Sequence, residues 1–223
     1  MALVDSFLQF NEGEHPKEKA CKCGQPHPLH GSQFFNNSVS YHLNAYIPKK
    51  VKEYAWQPPP QGWVKLNVDG SYLGNSGLAS AGGLLRDASS NWLCGFGFNI
   101  GESSILHAEI IGISYGLQFA WNMGFRRVIA ESDSLTAIKL ITQEQNISFH
   151  PLAHLIEDCR KLLSLDWYCS LFHIYRERNF SADALAKKSH GLEFEEFTIW
   201  DSPPWKVVPF LNKDKLGIAF KRH

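Results

Sequence analysis

The amino-acid sequence predicts an α/β fold with a mixed sheet, and three observations support this prediction. Residues 64–68 alternate apolar and polar side chains, as a half-buried strand does. Two apolar runs, residues 82–86 and 92–98, flank the polar turn 87–91, which is typical of an antiparallel meander. After residue 105, segments with a helical period alternate with short apolar runs, so that the element order is βββαβααβα.

Local patterns place each element in turn. The first strand is expected to end at Asp69, because a Gly- and Ser-rich turn follows over residues 70–80. The next elements are predicted as strands over residues 82–86 and 92–98, a helix over 105–123, a strand over 127–131, helices over 134–143 and 150–164, a strand over 167–175 and a helix over 182–189. Gly124 suits the end of the long helix, and Pro151 suits the first turn of the third.

The chain divides into three predicted regions. Residues 1–62 show no sustained period and are expected to be disordered or loosely structured, ending in the proline-rich linker WQPPPQGW at residues 56–63. Residues 63–190 carry the α/β domain, and residues 191–223 are expected to pack on it or trail it without a core of their own. We therefore expect the domain to fold after deletion of residues 1–58.

Composition limits the possible classes of protein. The 223 residues include 22 basic and 22 acidic side chains, so overall charge does not indicate a nucleic-acid partner, and any basic surface must be local. No apolar run approaches the roughly 18 residues that span a membrane. The opening residues lack the pattern of a secretory signal, and the five cysteines are irregularly spaced. We expect a monomer inside the cell, nuclear or cytoplasmic, with reduced cysteines.

A zinc site in the N-terminal region is a weaker hypothesis. Its candidate ligands are Cys21, Cys23, His27 and His30, with the spacing C-x-C-x₃-H-x₂-H. Structural zinc sites normally separate their cysteines by about two to four residues, so this spacing argues against zinc.

Glu109 lies on the apolar face of the long predicted helix. That face is formed by Ile105, Ala108, Gly112, Ile113, Gly116 and Ala120, at spacings of three and four. A carboxylate buried there costs several kcal/mol unless it is paired or binds metal. The alternative is a Glu at the edge of the face that reaches solvent. The two glycines are explained if this helix lies very close to a strand.

Three aspartates lie at the ends of predicted elements. Asp69 ends the first strand, Asp133 follows the strand over 127–131, and Asp183 lies in the first turn of the last helix. The alternatives are a turn residue, a helix N-cap and compensation of a helix dipole, respectively. Because a mixed sheet can bring such ends together, we expect the aspartates to meet Glu109. Two divalent cations would remove their repulsion, and oxygen ligands suit Mg²⁺ or Mn²⁺.

Five ordered segments of the sequence strongly resemble ribonuclease H. They are residues 65–71 (KLNVDGS), 82–87 (GGLLRD), 107–109 (HAE), 131–134 (ESDS) and 176–186 (RERNFSADALA). The resemblance covers roughly residues 63–189. It is greatest to the ribonuclease H-like domains of plant non-LTR retroelements and of host proteins derived from them.

The resemblance implies a five-stranded mixed sheet flanked by helices, and cleavage of the RNA strand of RNA–DNA hybrids. It implies that Asp69, Glu109, Asp133 and Asp183 are the catalytic residues and bind two Mg²⁺ or Mn²⁺ ions. Two other nuclease classes fit less well. Proofreading-type exonucleases carry Asp-x-Glu on the first strand, where this chain has Ser71, and integrase-type enzymes place a Glu where this chain has Asp183.

Substrate contacts are expected beside the carboxylates. The backbone amides of Gly70 and Ser71 and the side chain of Asn75 are candidates to contact the 2′-OH groups that distinguish RNA from DNA. Candidate phosphate contacts are Arg176, Arg178, Lys187 and Lys188. The alternative for these four cations is that they are ordinary solvated charges.

Departures from the family pattern leave a second function open. Ile105 and Leu106 stand where bacterial-type enzymes carry paired polar residues that hold the substrate. Residues 173–179 are too short for the flexible His-containing loop of those enzymes, so His173 is expected on the last strand. The alternative function is a catalytically weak or inactive nucleic-acid-binding module derived from a retroelement.

Overall fold

Six strands form one mixed sheet in the computed structural model, which describes residues 52–144 and 146–222. The strands of the described chain are β1 (Lys52–Tyr54), β2 (Val64–Leu73), β3 (Leu78–Arg86), β4 (Trp92–Glu102), β5 (Arg127–Ser132), β6 (Tyr168–His173), β7 (Phe197–Trp200) and β8 (Phe220–Arg222). The sheet order is β6-β5-β2-β3-β4-β7, with β2, β5 and β6 parallel and the other neighbours antiparallel. The predicted α/β class is confirmed. The sheet has six strands rather than five because β7, from the predicted C-terminal tail, pairs with β4.

Helices cover both faces of this sheet. In the described residues they are α1 (Ile105–Asn122), α2 (Leu135–Thr142), α3 (Ala153–Leu163), α4 (Phe180–Ser189) and α5 (Val208–Lys215). Helix α1 packs on β2 and β3, and α3 packs on α1. Helix α4 packs on the opposite face of the sheet. Gly82 pairs with Asp69, so it faces the side opposite to Gly70. A Cβ on Gly70 would meet α1, whereas a Cβ on Gly82 would meet α4.

Strand β2 is longer and more deeply buried than predicted. It continues to Leu73, so Asp69 lies inside the strand rather than at its end, and the turn shrinks to residues 74–77. The alternating pattern predicts a solvated face for Lys65 and Asn67, but their exposures are 4% and 0%. The reason is that β2 is a central strand between β3 and β5, with a helix on each face.

Helix α1 follows its prediction closely. The Ser104 side chain caps it by accepting a hydrogen bond from the His107 amide, and Gly124 follows its end with a φ of 81°. Ile105, however, is 47% exposed and does not belong to the buried face. Gly116 explains the close packing on β2, because a Cβ there would lie 2.6 Å from the Val68 side chain.

Two other helix boundaries differ from the predictions. The helix expected from residue 150 begins at Ala153, because residues 148–152 form turns. The helix expected from residue 182 begins at Phe180, one residue after the 3₁₀ turn Arg176–Arg178.

The segments that flank the domain also pack on it. Trp56, predicted to lie in a linker, is 1% exposed, and its indole nitrogen donates to the Asn67 side chain at 2.9 Å. The Arg86 guanidinium lies 3.6 Å from the Trp56 ring centroid and also pairs with Asp214 of α5 at 2.6 Å. Strands β1 and β8 form a separate two-stranded sheet. A cut at residue 58 or 62 would therefore remove a buried side chain.

Several sequence predictions concern features other than the fold. Cys21, Cys23, His27 and His30 lie outside the described residues. The described cysteines Cys94, Cys159 and Cys169 are free. No helix in the described part of the chain is long and apolar enough to cross a membrane. The outer domain boundaries, the cell compartment and the monomeric state stay predictions.

Candidate metal centre and active site

Asp69, Glu109 and Asp133 bring their carboxylate oxygens within 4.8 Å of one another. Strand pairing explains the two aspartates. Strands β2 and β5 are parallel neighbours, with Asn67 opposite Glu131. Asp69 and Asp133 each come two residues later, so they lie side by side at the same end of the two strands. The two carboxyl groups lie close together, and the charge of Asp133 helps to raise the pKa of Asp69. The predicted convergence is therefore found for three of the four carboxylates.

Glu109 reaches the site from α1, because α1 touches β2 at Gly70. The Gly70 amide donates to a Glu109 carboxylate oxygen at 3.2 Å. A Cβ on Gly70 would lie 2.5 Å from the Glu109 backbone nitrogen, so only glycine permits this approach. A Cβ on Gly112, one turn along α1, would lie 3.0 Å from the Asp69 carbonyl oxygen, so the helix is close to the strand there as well.

Asp183 lies beside this group and has partners of its own. Its carboxylate accepts hydrogen bonds from Lys187 at 2.7 Å and from Arg176 at 3.4 Å. Its negative charge contributes to raising the pKa values of Asp69 and Glu109. The structure thus places Asp183 at the edge of the group, paired with two exposed cations.

Burial makes the central carboxylates weak acids in the absence of metal. It raises the pKa of Asp69 well above its ordinary value, and the charges of Glu109 and Asp133 raise it further. Burial and then the charge of Asp133 raise the pKa of Glu109 to about 8, although the Gly70 amide and Arg176 oppose this shift. A divalent cation would relieve both causes. A buried set of hard oxygen ligands therefore fits Mg²⁺ or Mn²⁺.

Asn179 is a site residue that the sequence pattern does not reveal. It precedes α4, where the sequence suggests only a possible cap, but its side chain makes no capping hydrogen bond. Its amide instead donates to the Val68 carbonyl at 2.9 Å and to the Asp133 carboxylate at 3.1 Å. Asn179 is 1% exposed and joins β2, Asp133 and the start of α4.

A buried polar cluster lies behind the carboxylates and is likewise absent from the sequence predictions. Lys65 pairs with Glu131 at 2.7 Å, and Asn67 donates to the same carboxylate at 2.9 Å. Arg86 donates to Asn67 at 2.7 Å. The sequence does carry a signal, because polar residues occupy alternate positions 65, 67 and 69 of one strand. Such alternation is more typical of a solvated face, and so it does not by itself predict a buried cluster.

The predicted substrate contacts differ in their availability. The Gly70 amide is engaged by Glu109, and the Ser71 hydroxyl is buried against the His190 ring nitrogen at 3.0 Å. Asn75 is exposed in the turn between β2 and β3. Arg176 is exposed beside Asp183, whereas Arg178 is half-buried.

The residues that depart from the family pattern lie near the start of α1 and the end of β6. Ile105 is exposed, and Leu106 is half-buried against the core. His173 is the last residue of β6, as expected, and its ring packs against Tyr175 with centroids 5.9 Å apart.

Residues 67–189 match the family described as Reverse transcriptase-like. The chain belongs to this family of ribonuclease H-like domains. A protein of Arabidopsis thaliana that is provisionally named a ribonuclease H protein is 41% identical over 170 residues, which are 76% of this chain. The chain spans only 27% of the length of that relative.

Solved ribonuclease H structures share the fold of this family member. Ribonuclease H1 of Halobacterium salinarum is 27% identical, with a TM-score of 0.52, and the match covers 57% of this chain and 96% of that one. The N-terminal ribonuclease H domain of a Mycobacterium tuberculosis protein is 26% identical, with a TM-score of 0.51, over 57% of this chain and 93% of that one. The resemblance found in the sequence is therefore confirmed.

Proposed function

We propose that this chain is a metal-dependent endonuclease that hydrolyses the RNA strand of RNA–DNA hybrids. One observation carries the proposal: three carboxylates from β2, α1 and the end of β5 converge within 4.8 Å in a member of the ribonuclease H-like family. A buried acidic cluster without a cation costs stability, so its presence is best explained by a function that needs it.

The proposed metal ligands are Asp69, Glu109, Asp133 and Asp183. Two bound Mg²⁺ or Mn²⁺ ions would supply an activated water and stabilise the leaving oxygen. Asn179 holds the Asp133 carboxylate, and the Gly70 amide orients Glu109, so both are positioning residues. Asp183 would join the ligands by loosening its bonds to Lys187 and Arg176.

Recognition of the hybrid is proposed to use the exposed residues around the carboxylates. Arg176 is close enough to influence Glu109 and can approach a phosphate on its exposed side. Asn75 is the candidate for contact with a 2′-OH group, and Arg178 is a second phosphate contact. The Gly70 amide would contact the substrate only by giving up its bond to Glu109, and the Ser71 amide stays a proposed contact.

The second candidate function is a nucleic-acid-binding module with little or no turnover. Two observations favour it. Ile105 and Leu106 present apolar side chains at the start of α1, where substrate grip is expected. Asp183 is neutralised by two cations of its own chain, which compete with metal.

One assay separates these functions. Purified protein is incubated with a hybrid labelled on either strand, with Mg²⁺, Mn²⁺ or a chelator, beside the Asp69→Asn variant. The endonuclease proposal predicts metal-dependent products from the RNA strand that Asp69→Asn does not form. If neither protein cleaves but both bind the hybrid in a salt-dependent way, the binding module is correct. Equal cleavage by both proteins would indicate a contaminant.

A further inference from the structure

We propose that the C-terminal segment of this chain forms a binding site for single-stranded nucleic acid beside the carboxylates. The choice of ligand rests on the proposed function, because the site would hold an unpaired extension of the same nucleic acid. The site is a cleft of about 680 Å³ between α4 and the segment that precedes α5. Asp183, Lys187 and Lys188 line one side, and Pro204, Trp205 and Lys206 line the other.

Trp205 is the central feature of this cleft. Its side chain is 77% exposed, so most of the indole surface is available for contact. The segment around it is nevertheless anchored. Val207 is fully buried, and its amide donates to the Pro204 carbonyl at 2.8 Å. The exposed indole is thus held on a fixed backbone, which is the arrangement that base stacking requires.

The charge of the cleft suits a phosphate backbone. The Nζ atom of Lys206 lies 5.4 Å from the Trp205 ring centroid. One nucleotide could therefore stack its base on the ring and place its phosphate at the amine. Lys187 offsets the charge of Asp183 at 2.7 Å, and Lys188 adds a further cation. The lining is therefore basic overall, although the whole chain has zero net charge.

Asp183 connects the cleft to the carboxylate group. It lines the cleft, and its charge also reaches Asp69 and Glu109. A strand that extends from the carboxylates past Asp183 would enter the cleft. The base faces of a duplex are already stacked, so an exposed indole fits an unpaired extension better than a continuing hybrid.

This cleft is a feature of the chain rather than of the family domain. Residues 204–206 lie beyond the segment 67–189 that matches the family. Only the α4 side of the cleft belongs to that segment.

Fluorescence anisotropy of the full chain in chelator tests the inference, because binding is then measured without cleavage. The probes are a blunt hybrid and the same hybrid with a single-stranded DNA or RNA extension on either strand and at either end. We expect at least one extension to tighten binding about fivefold or more, since stacking of a base on an aromatic ring has effects of this size. Trp205→Ala should abolish that gain, and Trp205→Phe should retain most of it. Blunt-hybrid affinity should not change in either variant.

Two further variants serve as controls for the effect of Trp205. Phe149→Ala removes a 97% exposed aromatic outside the cleft and should keep the gain. Lys206→Gln should lower the slope of log affinity against log salt by about one for extended probes only. The inference is overturned if no extension tightens binding, or if Trp205→Ala keeps the gain. A gain that depends on Trp205 in a chain that cleaves no hybrid would uphold this site and reject the proposed function.

Discussion

Asp69 is the residue whose replacement best separates chemistry from folding. Loss of a residue that only supports a metal ligand lowers metal affinity or activity about 10–100-fold. Asp69 is proposed as a ligand itself, so Asp69→Asn should leave below about 1% of wild-type hybrid cleavage. The amide keeps the shape of the carboxyl and can donate to Asp133, while one buried charge disappears. The melting temperature without metal should therefore rise.

Hybrid cleavage and thermal unfolding in chelator check this prediction. Asp166→Asn, an exposed aspartate after α3, is the control and should match wild type in both measurements. Full cleavage by Asp69→Asn would remove Asp69 from the catalytic set.

Glu109 makes the stability of the metal-free protein depend on pH. Its folded pKa of about 8 lies above the ordinary value of 4.5. The folded state therefore binds more protons than the unfolded state between these values, and the free energy of unfolding should fall as pH rises from 4.5 to about 8. Asp69, whose pKa is also raised, acts in the same direction.

Urea denaturation in chelator at several pH values measures this dependence. Glu109→Gln should flatten it, and saturating Mg²⁺ should reduce it, because metal stabilises the charged form. A protein that gains stability with rising pH over this range would contradict the assignment of Glu109 as a buried acid.

At the scale of elements, the contact of α1 with β2 sets the position of Glu109. A Cβ on Gly70 would lie 2.5 Å from backbone atoms of α1, and backbone cannot move aside as a flexible side chain can. Gly70→Ala should therefore separate the helix from the strand, at a cost of about 1–3 kcal/mol in the free energy of unfolding and most of the cleavage activity.

Chemical denaturation and the cleavage assay report the two effects of Gly70→Ala. Gly74→Ala is the matched control in the same hairpin, because its nearest neighbour would be a ring atom at 3.9 Å. Similar losses of stability in both variants would show that the hairpin, and not the helix contact, is responsible.

At the scale of the whole molecule, segments outside the family domain complete its core. Trp56 bonds Asn67 and stacks on Arg86, and Arg86 pairs with Asp214 near the other end of the chain. Deleting residues 1–58 should therefore lower stability by about 3–5 kcal/mol relative to deleting residues 1–51, as removal of a buried Trp does.

Thermal unfolding of the two truncated chains measures this difference. Trp56→Ala in the longer one should reproduce most of the loss and so assign it to the indole. Equal stability of both truncated chains would restore the simpler interpretation of residues 56–62 as a linker.

The sequence by itself determined most elements and their order, because each depends on a short-range pattern. Strand alternation and the helical period before Gly124 act over a few residues, so they can be recognised without a partner. Glu109 can be found for the same reason, because it is a carboxylate on an apolar helix face, whereas the three aspartates are identified through short segments that resemble the family.

Only the tertiary structure decided what depends on residues far apart in the chain. The partners Arg86 and Asp214 are 128 positions apart, and Asn179 reaches Val68 across 111. The sixth strand is added through a long-range pairing, and the burial of Lys65 follows from neighbours on both sides of β2. Such contacts leave no local period. The sequence alone therefore does not distinguish a polar residue in a solvated turn from one in a buried network.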